Sequence, residues 1–137
     1  MINFNTEDVV QRVLDITNGA KVPVVYDSVG KDTFARSLDC LRPRGLMVSF
    51  GNSSGPVPPF ALSELVSRGS LYITRPTLQT YAATREQLES MAADLFQVIE
   101  SGQVKIEINQ RFPLLEAGKA HIELEARRTT GKTILLP

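Results

Sequence analysis

Three polar loops follow short apolar segments in this chain of 137 residues. They are Asp27–Gly30 (DSVG), Gly51–Gly55 (GNSSG) and Thr74–Thr77 (TRPT). Glycine lets a backbone approach a ligand closely, and Asn and Ser side chains provide uncharged hydrogen-bond donors and acceptors. Arg75 could pair with a phosphate or a carboxylate, because its guanidinium group matches either. The same residue types also form tight strand-to-helix turns with solvated arginines, so the pattern alone leaves both interpretations open.

The other reactive residue types have simpler structural explanations. His121 lies among charged residues in a helical segment, which favours a surface position over a catalytic base. Cys40 has apolar neighbours and is expected in the core or at its boundary. Asp27 ends a strand, where a cap on the next helix is favoured over contact with a ligand. Arg127 and Arg128 suit the end of a helix, where cations balance the dipole. The sole histidine has no recognisable role in a catalytic triad, and we assign no catalytic residue.

Composition excludes several classes of function. Fifteen basic and fifteen acidic residues give zero net charge, which argues against nucleic acid as a partner. No apolar stretch approaches the roughly 18 residues of a membrane span, and no signal-like segment opens the chain. A single cysteine cannot form an internal disulfide, and one cysteine with one histidine cannot build a zinc site. These features predict a metal-free cytoplasmic domain with no membrane partner.

Helical and strand patterns alternate in the first half of the chain. Non-alternating apolar runs predict strands at 22–26 and 46–50 that are buried on both faces, and a third strand is predicted at 71–74. Apolar residues at helical spacing predict helices at 9–14, 34–41 and 62–66. This order indicates an α/β fold with a parallel sheet and right-handed crossovers, in which ligands bind beyond the carboxyl ends of the strands. All three polar loops lie at that edge.

The second half has a different pattern. Thr84 and Gln87 fit a capping box at the start of a long amphipathic helix that ends at Gly102. Alternation at Val104–Ile108 predicts a strand with one exposed face, and Pro113–Glu125 is typical of a final helix. A closing strand is expected at Thr133–Leu136.

Two strings, Val48–Gly55 (VSFGNSSG) and Thr74–Pro76 (TRP), are specific enough to indicate a family. With further matches along most of the chain, they closely resemble bacterial NADPH:quinone oxidoreductases, the zeta-crystallin-like members of the medium-chain dehydrogenase/reductase superfamily. The resemblance implies the C-terminal half of a Rossmann-like parallel sheet, with three strands and crossover helices. A C-terminal segment that returns to the catalytic domain would follow. Residues 1–101 would belong to the nucleotide-binding domain and 102–137 to the GroES-like catalytic domain.

The resemblance also implies an oxidoreductase that passes reducing equivalents from NADPH to a quinone without zinc. Within the family, the loop that corresponds to Phe50–Ser54 lines the cofactor site, which favours the functional interpretation of that loop here. Phe4 stands where the family usually has a tyrosine, so one polar contact is lost. The cofactor-binding residues carried over are Phe4, Ser28, Val29, Phe50, Gly51, Asn52, Ser53, Ser54, Arg75, Pro76, Thr77 and Arg127.

Family enzymes are more than twice as long as this chain, and their pyrophosphate-binding glycine turn has no counterpart here. We therefore expect an incomplete NADPH site, weak or undetectable NADPH binding, and no activity of the chain alone. A homodimer is expected through the edge strand Leu71–Thr74, with pairing of the edge at 22–26 as the alternative. Two other functions stay open, a non-catalytic dimerisation or interaction module and a reductase of enals or enoyl thioesters.

Overall fold

Three parallel strands form the sheet of the first unit in the computed structural model, which describes residues 1–4 and 6–137. The strands are β1 (Val22–Asp27), β2 (Leu41–Ser49) and β3 (Tyr72–Thr74), in the order β1-β2-β3. This arrangement confirms the predicted parallel α/β fold. The described chain divides into two compact units, 1–83 and 84–137, which are treated separately below.

Four helices belong to the first unit, and they are α1 (Val9–Ile16), α2 (Phe34–Asp39), α3 (Ser63–Ser67) and α4 (Leu78–Tyr81). Helix α1 begins where Asp8 accepts hydrogen bonds from the backbone N–H groups of Val10 (2.9 Å) and Gln11 (3.1 Å). It ends before Asn18 and Gly19, which adopt left-handed backbone angles, with φ of 51° and 82°. Capping by Asp8 and the left-handed stop therefore define the two ends of α1, which runs two residues beyond the predicted 9–14.

The core of the first unit is formed by helix α2, strand β2 and the residue just before β3, with Val22 and Val25 of β1 packed against it. Its buried members are Phe34, Leu38, Leu41, Met47 and Leu71, and Met47 has no exposed surface. Leu41 was predicted at the end of a helix, but α2 stops at Asp39 and Leu41 begins β2. Because Leu41 pairs with Val22 across the sheet, its side chain is held in the core by a strand.

The segment 42–45, which follows the helix predicted at 34–41, is a bulge within β2. Val22 pairs with Leu41 but Val24 pairs with Leu46, so β2 carries extra residues between these two points. Arg44 lies in the left-handed region (φ 60°), and its N–H donates to the carbonyl oxygen of Gly69 at 2.8 Å. The bulge is thus stabilised by a bond to the chain entering β3.

The expectation of burial on both faces is wrong for β1, and β3 is open as well. Tyr26 is 73% exposed, and every residue of β3 is exposed. The predicted apolar stripe of α3 is also open, since Leu62 is 75% exposed and Val66 is 69% exposed. Apolar periodicity shows which side of an element can be buried, but burial also requires a packing partner.

The second unit contains α5 (Arg85–Glu100), β4 (Ile108–Pro113), a 3-10 turn at Leu114–Glu116, α6 (Ala117–Glu125) and β5 (Lys132–Leu136). The predicted capping box is present at the start of α5, where Thr84 and Gln87 exchange side-chain to backbone hydrogen bonds. Strands β4 and β5 pair in parallel. Among the residues described, no helix has the length and apolar character needed to cross a membrane.

Two predicted boundaries in the second unit are wrong. The strand expected at 104–108 lies at Ile108–Pro113, because its ladder begins where Ile108 pairs with Lys132 of β5. Gly131 fixes this start, since a Cβ there would lie 2.6 Å from the carbonyl oxygen of Glu107. Pro113, the expected start of the last helix, therefore ends β4, and α6 begins at Ala117.

Candidate functional site

The carboxyl ends of β1 and β2 lie side by side, so the loops that follow them start from neighbouring points. Asp27 pairs with Ser49 in the sheet, and Val48 pairs with Thr74 of β3. The loops 28–33 and 50–55 and residue Arg75 consequently leave the sheet at the same edge. In open parallel sheets, this is the edge at which ligands bind.

Hydrogen bonds join the first two loops directly. The N–H of Ser53 donates to the carbonyl oxygen of Ser28 at 3.3 Å, and the N–H of Ser54 donates to that of Val29 at 2.9 Å. The Ser54 hydroxyl also donates to Val29 (2.8 Å) and accepts from the N–H of Asp32 (3.1 Å). The two loops therefore form one connected backbone structure.

Glycine is required in both loops by this close approach. A Cβ on Gly51 would overlap the carbonyl oxygen of Ser28 and lie 2.8 Å from its Cα. Gly30 has φ of 91°, and a Cβ there would lie 2.7 Å from the carbonyl oxygen of Gly55. These glycines were candidates for backbone approach to a ligand, whereas in the structure they bring the two loops together.

Arg75 reaches back from the end of β3 to the second loop. Its Nη1 donates to the carbonyl oxygens of Ser49 (3.0 Å) and Gly51 (3.1 Å). Nε and Nη2 have no hydrogen-bond partner in the part of the chain that the structure describes. Arg75 can therefore support the loop with one nitrogen and bind an anion with the others.

The carboxylate of Asp27 lies beneath these loops and is only 4% exposed. It accepts hydrogen bonds from the N–H groups of Val29 (2.8 Å) and Gly30 (3.0 Å) and from the hydroxyls of Thr33 (2.7 Å) and Ser37 (2.7 Å). Burial acts to raise the pKa of Asp27, but these hydrogen bonds outweigh it and lower the pKa below the ordinary aspartate value. Asp27 is therefore held as a carboxylate anion.

A cavity of about 240 Å³ brings together three of the predicted site residues, Phe4, Ser28 and Val29. Tyr26 and Arg36 also line it. The guanidinium carbon of Arg36 lies 5.3 Å from the centroid of the Phe4 ring, a cation–π distance. Phe4 thus packs under Arg36, which is not among the predicted site residues.

The remaining predicted residues have varied surroundings. Pro76 is half-buried, and Thr77 precedes α4 with its hydroxyl 3.0 Å from that of Thr80. Arg127 belongs to the second unit and is exposed after α6 without an ion pair to any described residue. The first unit therefore gathers the candidates Phe4, Ser28, Val29, Phe50, Gly51, Asn52, Ser53, Ser54 and Arg75 around one sheet edge.

The residues set aside on sequence grounds have the surroundings expected of them. His121 is exposed on α6. Cys40 is buried just after α2, where burial raises the pKa of its thiol. Within residues 1–4 and 6–137, no three side chains among His, Cys, Asp and Glu come together as a metal site.

Sequence reasoning missed the extent of the Asp27 network. A signal was available in the spacing, since hydroxyl residues follow Asp27 at Thr33 and Ser37, one before and one within α2. Both hydroxyls can donate to a carboxylate at the end of the preceding strand. The sequence gives no comparable signal for the contact between Arg36 and Phe4, because it depends on how the first residues fold back.

Gly51→Ala should destabilise the first unit by about 1–3 kcal/mol, because the new methyl group would overlap the Ser28 backbone. Urea unfolding followed by circular dichroism measures the change. Gly118→Ala is the matched control, since a Cβ there meets nothing within 4 Å and should be neutral or stabilising by up to about 1 kcal/mol. Equal unfolding midpoints for Gly51→Ala and the wild type would contradict the loop geometry.

Asp27 should also make the first unit sensitive to acid. Because its pKa is lower in the folded state, its stabilising effect is present above the unfolded-state pKa, about 3.9, and is lost as pH falls through the folded-state value. The difference in unfolding free energy between wild type and Asp27→Asn should therefore shrink toward acid pH.

All three tyrosines lie in the first unit, so tyrosine fluorescence during urea unfolding at several pH values measures this difference. Other carboxyl groups affect both proteins and cancel in the comparison. A difference that stays constant from neutral to strongly acid pH would show that Asp27 has an ordinary pKa.

Known proteins resemble the chain closely. The quinone oxidoreductase of Pseudomonas aeruginosa is 62% identical over 136 residues, which make up 99% of this chain and 42% of that protein. The crystal structure of Escherichia coli quinone oxidoreductase complexed with NADPH is 54% identical and has a TM-score of 0.93, over 99% of this chain and 42% of that one. A 2-haloacrylate reductase from Burkholderia sp. is 44% identical over 99% of this chain and 41% of its own length.

The chain thus spans about 42% of the length of the quinone oxidoreductases it matches. The parallel sheet and its loops agree with the corresponding portion of the Escherichia coli structure, as the TM-score of 0.93 shows. The family model described as zinc-binding dehydrogenase matches residues 1–135, almost the entire chain. On these grounds the chain belongs to the zinc-binding dehydrogenase family.

Proposed function

We propose that this chain forms part of an NADPH-dependent quinone oxidoreductase and contributes to its cofactor site. One observation carries the proposal: the loops after β1 and β2 and the side chain of Arg75 meet at the carboxyl edge of a parallel sheet. The Escherichia coli relative of known structure was crystallised with NADPH, and the match covers 99% of this chain. NADPH is therefore the first candidate for this edge.

The side chains at this edge fit such a cofactor. Ser28, Asn52 and Ser53 are exposed, and their side chains make no hydrogen bond to any described residue. Phe50 is half exposed beside them and offers an apolar surface. Together with the free nitrogens of Arg75, they provide what a dinucleotide needs: uncharged donors and acceptors, a flat apolar contact and a cation for phosphate.

This set of residues indicates which part of the reaction belongs to the cofactor and which to the protein. When bound, NADPH supplies the hydride that reduces the quinone. The residues of this chain bind and orient the cofactor, and we assign no general acid or base among the described ones. The proposed contacts are those predicted from sequence: Phe4, Ser28, Val29, Phe50, Gly51, Asn52, Ser53, Ser54, Arg75, Pro76, Thr77 and, from the second unit, Arg127.

The family description implies zinc, but the described residues do not fit it. Zinc sites use sets of three or four Cys, His or acidic ligands, and no such group occurs within residues 1–4 and 6–137. We therefore propose no role for zinc at this edge.

A quinone is favoured over the other acceptors. Relatives named quinone oxidoreductase reach 62% and 53% identity, whereas the 2-haloacrylate reductase is 44% identical. This order does not favour an enal or enoyl thioester reductase. The loop cluster likewise argues against a purely non-catalytic interaction module, which would not need unpaired polar side chains at a ligand-binding edge.

We also propose the placement of the chain in the longer enzyme. Residues 1–101 would belong to the nucleotide-binding domain and 102–137 to the GroES-like catalytic domain. The separate β4–β5 sheet supports this division, although the second compact unit starts earlier, at Thr84, because it includes α5. A cytoplasmic location is proposed from the single cysteine, Cys40, which is buried as a free thiol.

Association through β3 is the partner interaction that we propose. Strand β3 is an edge of the sheet, and Tyr72 (61%) and Ile73 (37%) are exposed on it. Unpaired edge strands with apolar side chains tend to pair with another chain. The opposite edge, β1, carries the equally open Tyr26 and is the competing surface.

NADPH added in millimolar excess to the isotope-labelled chain should shift the backbone NMR signals of 28–29, 50–54 and 75–77. Binding should be weaker than micromolar, since the chain spans only 42% of its relatives. Arg75→Ala should abolish most of the shifts, whereas Arg42→Ala, at the opposite end of β2, should leave them unchanged. Shifts elsewhere, or none, would contradict the proposed site. The chain alone should not reduce a quinone.

Sedimentation velocity should show a dimer that Tyr72→Lys dissociates, because a lysine on an edge strand resists pairing. Tyr26→Lys places the same charge on the other edge and should leave the dimer intact. If Tyr26→Lys dissociates the dimer instead, the β1 edge is the interface. A wild-type monomer at micromolar concentration would rule out both.

A further inference from the structure

Asp27 lies next to the proposed cofactor loops but beneath them, and it is almost completely buried. We propose that Asp27 is a positioning residue whose carboxylate sets the conformation of loop 50–55 through the backbone of loop 28–30. The relevance of this control to NADPH rests on the proposed function, whereas the coupling between the loops does not.

The first step of the coupling joins the carboxylate to the backbone of its own loop. Oδ1 accepts the N–H groups of Val29 (2.8 Å) and Gly30 (3.0 Å), which fixes the orientation of the peptide groups just before them. Phe50 strengthens the same junction from the other strand, since its N–H donates to the main-chain oxygen of Asp27 at 2.9 Å. The turn after β1 is thereby held in one conformation.

The second step passes from this turn to the neighbouring loop. The peptide groups that Asp27 orients carry the carbonyl oxygens of Ser28 and Val29, which accept the N–H groups of Ser53 (3.3 Å) and Ser54 (2.9 Å). If the turn rotates, both acceptors leave their donors. The candidate ligand residues of loop 50–55 therefore depend on a carboxylate that touches none of their side chains.

A carboxylate suits this role better than any other side chain. It accepts only, so it can satisfy two N–H groups on one oxygen and the hydroxyls of Thr33 and Ser37 on the other. Asparagine has one accepting oxygen, and its NH₂ group would force both hydroxyls to turn and accept. Asp27→Asn should thus preserve part of the coupling, and Asp27→Ala should remove it.

Hydrogen exchange of individual amides, measured by NMR without NADPH, tests the coupling. Asp27→Ala should accelerate exchange at Ser53 and Ser54 by roughly tenfold or more relative to the Val48 amide in β2. Asp27→Asn should accelerate it less, as a conservative rescue. Ser37→Ala is the matched control, because it removes a carboxylate partner on α2 and leaves the bonds to Val29 and Gly30 in place; Ser53 and Ser54 should then exchange as in the wild type.

Selective acceleration at Ser53 and Ser54 supports the proposal. Unchanged exchange there, or an equal acceleration of Val48, overturns it, since the second result means general destabilisation. Any later loss of NADPH-induced shifts in these variants tests the cofactor role separately. If exchange follows the proposal while NADPH binds nowhere, the coupling stands and the proposed function fails.

If Asp27→Ala does not fold, a pH titration of amide NMR shifts in a protein that keeps Asp27 tests the same coupling. The amide shifts of Ser53 and Ser54 should titrate with the same midpoint as those of Val29 and Gly30. The other charged groups near these loops are Lys31 and Asp32 after β1, Arg36 beside Phe4 and Arg75 at loop 50–55, and Asp32 is the carboxyl group among them. The titration is therefore made in Asp32→Asn, and different midpoints for the two loops would overturn the proposal.

Discussion

The parallel register that sets Asp27 beside Ser49 is the constraint on which the rest of the first unit depends. It makes two strands end at the same level, so their loops leave side by side and can exchange backbone hydrogen bonds. Glycine at 51 permits the close approach, and Arg75 reaches the second loop from the next strand. The proposed cofactor-binding side chains consequently stand on loops whose backbone groups already hydrogen-bond to each other.

Polar satisfaction and apolar exposure are unevenly distributed in this chain. Among the described residues, no buried side-chain polar atom lacks a hydrogen bond, and Asp27 beneath the loops is one of those satisfied. The apolar faces are not complete, because residues such as Leu62, Leu95 and Phe96 remain more than half exposed. Buried polar groups in this chain thus find their partners within the chain. By contrast, much of its apolar surface has no packing partner within the unit to which it belongs.

Elements with strong local signals could be predicted from the sequence. The caps of α1 and α5 and the three parallel strands follow from Asp8, Thr84 and the β-branched runs, whose effects act over a few residues. The wrong boundaries lie where pairing with a residue far along the chain determines the secondary structure. Leu41 joins a strand because Val22 pairs with it, and β4 begins at Ile108 because Lys132 lies opposite. The site residues came from resemblance, and the Asp27 network emerged only from the folded arrangement.

Because of its bulge, β2 pairs irregularly where it begins and in fixed register where it ends. Its extra residues, around Arg44, bind the chain near Gly69 at the end of the sheet where β2 begins. The other end of β2 leads through Ser49 into the loop that Arg75 supports. Insertions can therefore accumulate at the first end, where the strand already departs from regular pairing, without changing the register that aligns the loops. The strand can thus accept changes in length where it begins, whereas its pairing register is fixed where it ends.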